Sequence, residues 1–341
     1  MNICRQSILP VIVALTLLWA GCSKRQTKSS QEVVVYTSED QVFSEPILKD
    51  FEKETGIKVR AVYDTEEAKG TGVMNRLLME KNNPQADVYW ANEPIRAIVL
   101  KQSGITTDYV SPNSKDIPDN FKDPEGYWTS FSARARVMVV NQKTPSRPTS
   151  IMAYTEAQWK GKSVIANPLF GTTTAQVAAL FTIWGDERTR TFMADMKNNG
   201  TKISTNNGES ADLVAAGEFD FSLVDSDDAI NRIRQGKAIE MIFPDQKEGE
   251  VGCMLVPNAV VILKNSKNLK TAQKLVDYLL SKETERKLAF ANCAQIPLRP
   301  DVQIPPDVPK IENIKIMEIE YIKVVRKLQE IQPFLKEWAG Y

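Results

Sequence analysis

Histidine is missing from all 341 residues. That absence removes Ser-His-Asp and Cys-His catalysis, along with every imidazole metal site. A prevailing charge is missing too. Lys+Arg and Asp+Glu both count 43, so nothing draws the chain to nucleic acid or, broadly, to a membrane surface. Cysteine is scarce, at four residues. The one notable apolar run, Ile8 to Ala20 after Arg5, is too short to cross a bilayer as a mature helix. There is no internal repeat and no low-complexity tract. What remains is long enough for two domains, or for one chain folded as two lobes.

The apolar run ends in Leu18-Trp19-Ala20-Gly21-Cys22. It resembles a bacterial lipoprotein signal, although Leu sits one place early and Trp19 takes its slot. The resemblance makes residues 1–21 a signal peptide, Cys22 the lipidated first residue, and 22–31 a flexible polar tether. The mature chain is then expected in the cell envelope, lipid-anchored on a periplasmic or extracellular face. Cys4 leaves with the signal, so Cys253 and Cys293 remain, and an exported compartment permits their pairing.

Strands and helices alternate along the chain. Glu32 to Tyr36 reads as a strand buried on both faces, and Phe43, Ile47, Leu48 and Phe51 mark a helix stopped by Gly56. Strands follow at Ile57 to Val62 and Asp87 to Trp90, with a helix between them at Val73 to Lys81. Another helix runs through Ile98, and a proline-punctuated loop covers Thr106 to Trp128. Ala133 to Asn141 is a long strand. A second set begins at Ser163 to Ala166, with helices at Thr173 to Trp184 and Arg188 to Lys197. A strand lies near Lys202, a helix after Asn207, and strands at Ile239 to Phe243 and Cys253 to Leu263. Helices at Ala272 to Leu280 and Glu283 to Ala291 precede a long amphipathic helix, Ile314 to Gln332, which Pro333 should end or kink. Such alternation means α/β architecture with a parallel sheet and right-handed crossovers.

Gly217-Glu218-Phe219-Asp220-Phe221-Ser222-Leu223-Val224-Asp225-Ser226-Asp227-Asp228 draws the chemistry together. Phe219, Phe221 and Leu223 alternate as a half-buried strand requires. Three carboxylates then open a helix that carries Ala229, Ile230 and Ile233. Carboxylates beyond a strand's carboxyl end lie where open α/β sheets place ligands. A capped, solvated turn is the plain alternative.

Four stretches stand in a characteristic order. They are Phe121-Lys122-Asp123-Pro124-Glu125-Gly126-Tyr127-Trp128 with Ala133-Arg134-Ala135-Arg136-Val137, then Trp159-Lys160-Gly161-Lys162, then Val256 to Asn268, then Pro297-Leu298-Arg299-Pro300-Asp301. Together they resemble the ferric-ion-binding proteins, substrate-binding components of ABC importers, from about Val33 to Val302. The resemblance implies a two-lobed type 2 periplasmic-binding fold with two crossover hinge strands. Lobe one is expected at 32–136 plus 254–341 and lobe two at 137–253. Ferric iron with a synergistic anion is the implied ligand, and an ABC permease with its ATPase the implied partners. The working unit is expected to be a monomer and not an enzyme.

Residue by residue, the family's histidine falls on Asp40, and its glutamate on Asn92 with Glu93 adjacent; Glu93 is the expected carboxylate. The paired iron-binding tyrosines fall on Asp227 and Asp228. A neighbouring anion-holding asparagine falls on Asp225 and another on Asn207, and the anion-cradling helix start falls on Gly171-Thr172-Thr173-Thr174.

Three ligand classes stay open on this residue set. A hard cation would join Asp40 and Glu93 to Asp225, Asp227 and Asp228, with Arg134 or Arg136 moderating the surplus charge. An organic cation such as a polyamine or thiamine-like amine would use Tyr89 and Trp90 beside the carboxylates, though Trp90 ends a strand that reads as buried, which favours core packing for it. A phosphorylated or phosphonate anion would sit on Thr172, Thr173, Thr174, Asn207 and Arg134, unless the threonines simply cap their helix. Acid–base catalysis by paired carboxylates lacks an accompanying nucleophile or motif.

Overall fold

The computed structural model describes residues 31–64 and 72–341. The expected signal peptide, the lipid-bearing Cys22 and the tether up to residue 30 lie outside the described residues. The valine-rich β1 (Glu32–Thr37) and β2 (Lys58–Tyr63) pair in parallel around α1 (Gln41–Thr55). Gly56 ends α1 at φ 69°, the left-handed conformation that favours glycine. Next come α2 (Gly72–Met79), then β3 (Val88–Ala91) parallel to β1, then α3 (Pro94–Gln102) and the short β4 (Thr106–Thr107). The long β5 (Thr129–Asn141) is buried along its whole length.

The second α/β set holds β6 (Ser163–Ala166), α4 (Gly171–Trp184), α5 (Asp186–Asn198) and β7 (Lys202–Ser204). It continues through α6 (Asn207–Ala216), β8 (Phe221–Asp225), α7 (Ser226–Arg234) and β9 (Ile239–Ile242). β10 (Leu255–Leu263) returns to the first set, and α8 (Leu269–Leu279), α9 (Lys282–Phe290), α10 (Tyr321–Glu330) and α11 (Gln332–Ala339) complete the chain.

The strands run β2-β1-β3-β10-β5-β8-β6-β7, with β4 on β10 and β9 on β5. β5 belongs to both halves. Its residues 129–135 pair with β10 and its residues 136–140 with β8, so the chain passes from one lobe to the other inside a single strand. The strand starts at Thr129, four residues before the expected Ala133, because β10 supplies ladder partners to Thr129, Ser130 and Phe131. The return crossing passes Gly252 (φ 81°), where an added Cβ would stand 2.8 Å from the carbonyl carbon of Ile316. Only glycine fits there without moving the backbone.

Two expectations are corrected. No disulfide joins Cys253 and Cys293; both thiols are free and buried. Cys253 donates to Arg136 O at 3.1 Å and Cys293 to Leu288 O at 3.4 Å. The single tail helix is also wrong. Residues 315–320 are not helical, because Ile316 is drawn into a parallel bridge with Cys253. The helix does break just ahead of Pro333, as expected: α10 ends at Glu330, and Pro333 lies in the first turn of α11, which needs no N–H from it. The tail's apolar residues do pack as core: Val324 and Ile331 are buried, and Ile316, Ile319 and Leu328 are partly buried against them. The tail reaches both halves of the sheet. α10 lies on α3 and α4, and Trp338 Nε1 donates to Met193 O of α5 at 2.6 Å.

Candidate functional site

The site grows from two strand ends and the strand between them. β1 ends before Ser38-Glu39-Asp40, and β8 ends at Asp225, where α7 begins. Between them, β5 presents Arg134 and Arg136, which share a face because side chains alternate along a strand. Arg136 stands directly across from Asp225 in the antiparallel register. Cross-strand partners of opposite charge are the closest neighbours a sheet offers.

Asp225 is almost wholly enclosed, at 3% exposure. Its carboxylate accepts from Arg136 Nη1 at 2.8 Å, Thr172 Oγ1 at 2.9 Å and Asn207 Nδ2 at 3.4 Å, with Arg134 Nη1 at 3.5 Å. Burial alone would raise its pKa. Arg136 and then Arg134 outweigh that, and the carboxyl is held below its usual range. Arg136, fully buried, also donates to Asn207 Oδ1, Thr172 Oγ1, Thr173 Oγ1 and Leu223 O. The donor set at the start of α4 therefore already grips a carboxylate of the chain itself. Thr172 serves that purpose and does not cap its helix. Nor does the Asp225 side chain cap α7.

Arg134 donates Nη2 to Asn92 O, just past the end of β3, at 2.6 Å. Burial disfavours its charge, yet Asp225, Asp227, Glu39 and Asp40 surround it and hold its pKa above the ordinary value. Carboxylates from the end of β1 and from the start of α7 thus favour the charge of one guanidinium. Asp225, Asp227 and Asp228 each bring one oxygen within 4.8 Å of the others, the spacing a single metal ion needs. Asp228 pairs with Arg232 at 3.1 Å. Even so, burial first, then Asp227 and Asp225, push its carboxyl up to about 8.

Some expected residues stand apart. Glu93 is spent on an ion pair with Arg96 of the helix that it precedes, at 3.1 Å. Thr174 is buried with its hydroxyl unpartnered, away from Asp225. Tyr89 and Trp90 have no exposed surface, and Trp90 Nε1 is spent on Asn258 Oδ1 at 3.1 Å. The aromatic faces on which an organic cation would rest are therefore enclosed in the core. One participant was not foreseen. Glu39 is buried at 5% exposure and accepts from Gln295 Nε2 at 2.9 Å; its one local signal is the neighbouring Asp40 at a strand's end. Arg136, and not Arg134, is the main holder of Asp225.

Comparison with known proteins gives the family and the fold. Residues 47–316 match the family described as bacterial extracellular solute-binding protein. Iron uptake protein A1 of Synechocystis sp. is 26% identical over 277 residues, covering 77% of this chain and 74% of that protein. The major ferric iron-binding protein of Neisseria meningitidis is 23% identical and covers 95% and 97%. A putative 2-aminoethylphosphonate-binding periplasmic protein of Salmonella typhi is 22% identical and covers 74% and 73%. Among solved structures, apo ferric ion-binding protein A of Pasteurella haemolytica superposes with a TM-score of 0.79 at 23% identity, over 90% of this chain and 98% of that one. That likeness shows the two-lobed periplasmic-binding fold. With most of its length matched, this chain belongs to the bacterial extracellular solute-binding proteins, the ligand-capturing components of ABC importers.

Proposed function

We propose that the chain captures a hard, multivalent metal cation between its lobes, ferric iron first among them, and delivers it to an ABC permease and ATPase. The observation that carries this reading is the cluster of Asp225, Asp227 and Asp228, each with an oxygen within 4.8 Å of the others, while Glu39 and Asp40 from the other lobe add their charge at Arg134. With Asp228, which Arg232 only partly offsets, the carboxylates outnumber the two arginines of β5, and a multivalent cation supplies the missing positive charge. Each lobe alone offers an incomplete shell, so the ion draws the lobes shut. Asp40, Asp227 and Asp228 are the proposed ligands, with Asp225 at their edge; Glu93 would join them only by leaving Arg96. The relatives named for iron support the choice of metal.

A relative named for a phosphonate favours an anion instead. Against that stands Asp225, whose carboxylate occupies the donors of Arg136, Thr172 and Asn207. By the same reasoning no separate synergistic anion is required there. The remaining assignments belong to this proposal: lobes at 32–136 plus 254–341 and at 137–253, a lipid anchor at Cys22, a monomer, and binding without catalysis.

Elemental analysis of protein isolated from its native compartment tests the reading, together with thermal shift against Fe³⁺, spermidine and 2-aminoethylphosphonate. About one iron per chain and a shift with Fe³⁺ alone are expected. Asp227→Ala with Asp228→Ala should weaken iron binding by more than about a hundredfold, beyond the loss typical of groups that merely support a ligand. Metal-free protein that responds to phosphonate would sink the proposal.

A further inference from the structure

α7 has two working ends. Its first turn bears Asp227 and Asp228, and its last residue is Arg234. Nine helical residues rise about 12 Å, so the two ends move as one rigid rod. The far end reaches across to the other lobe. Arg234 Nε lies 2.9 Å from Asp307 Oδ2, and Arg234 Nη1 donates to Ala291 O at 2.9 Å.

Ala291 is the C-cap of α9, where helix carbonyls concentrate partial negative charge. α9 is in turn fixed to the first lobe, because Lys287 pairs with Asp50 and Glu54 of α1. One guanidinium therefore meets a carboxylate, a capping carbonyl and a helix C-terminus, all outside the two strands that connect the lobes. Its planar fork suits two acceptors at once. Neither β5 nor the crossing at Gly252 imposes this contact.

We propose that Arg234 is an interlobe latch: by gripping Ala291 O and Asp307 it holds α7 down on the first lobe and slows escape of whatever the other end of α7 has bound. Arg234 is a positioning residue, acting on the ligand only through the helix. The idea rests on capture between the lobes and is independent of which cation is captured. It also gives the site an ionic-strength dependence that the buried Arg136–Asp225 pair does not share. Arg234 and Asp307 retain 27% and 49% side-chain exposure, within reach of screening ions.

The test compares wild type with Arg234→Ala, Arg234→Lys and Asp307→Asn in the full mature chain. Small-angle scattering is recorded without metal, and dissociation is followed after loading with Fe³⁺ supplied as its nitrilotriacetate complex. Arg234→Ala should expand the metal-free envelope and speed metal release about tenfold, the effect of losing roughly 1.4 kcal/mol. Arg234→Lys and Asp307→Asn should fall between, since each retains part of the grip. About 1 M NaCl should bring wild type toward the Ala variant. Unchanged release from Arg234→Ala, or faster release with no change in scattering, would overturn the latch. If no variant takes up metal, the proposed function fails by itself, and the scattering comparison alone decides the latch: expansion supports it and identity rejects it.

Discussion

Asp225 and Asp228 lie three positions apart in one acidic motif, yet their surroundings are opposed. Asp225 ends a buried strand opposite Arg136, accepts from three donors, and is held ionised. Asp228 lies in the first turn of α7 with one arginine and two carboxylates for company, and its proton is held tightly. The first is already neutralised by the protein, whereas the second waits for positive charge from outside. A cluster of like residues is thus divided by its neighbours into a fixed counter-ion and a receptive ligand.

The largest effect expected of this division comes from removing the fixed member. Asp225→Asn strands the wholly buried Arg136 without its carboxylate and should cost about 3–5 kcal/mol, read as a large drop in melting temperature of the metal-free protein. A drop no larger than that of a surface substitution would erase the contrast. Asp228→Asn should leave the metal-free fold as stable or more so, and should flatten a pH slope. The sign follows from the raised folded pKa: between about 4 and about 8 the native state holds a proton that the unfolded chain has lost, so stability falls as pH rises through that window. Urea melts of wild type and Asp228→Asn at pH 5 and pH 8 check this, and parallel behaviour in both proteins would refute it. The smallest effect concerns the thiols. Burial pushes Cys253 and Cys293 upward, so a thiol reagent should modify neither in the native state and both in denaturant. Fast labelling of the folded protein would show that these groups are reachable after all.

Much of the layout could be read from the residues. Alternating strands and helices, the stop at Gly56, and the two acidic turns at Asp40 and at Asp225 to Asp228 all follow from local chemistry. Pairing register is another matter. Ala133-Arg134-Ala135-Arg136 declares that both arginines share a face, but that Arg136 faces Asp225 depends on β5 meeting β8, a partner many residues away. Glu39 was invisible for the same reason, since Gln295, which enfolds it, comes from the far end of the chain. The tail misled because its apolar spacing fits a helix as well as it fits an extended segment whose Ile316 docks beside Cys253. Propensity had no means of choosing between them, and the hinge crossing decided.

The clasp made by α10 and α11 has a bearing on how the molecule is completed. Phe181 and Met193 belong to helices synthesised well before the terminus, yet Phe334 and Trp338 are what roof them. Those helices keep an oily flank uncovered until α11 has been made, the kind of surface on which half-made chains stick together. A chain cut before α11 would therefore lose a keystone of the fold.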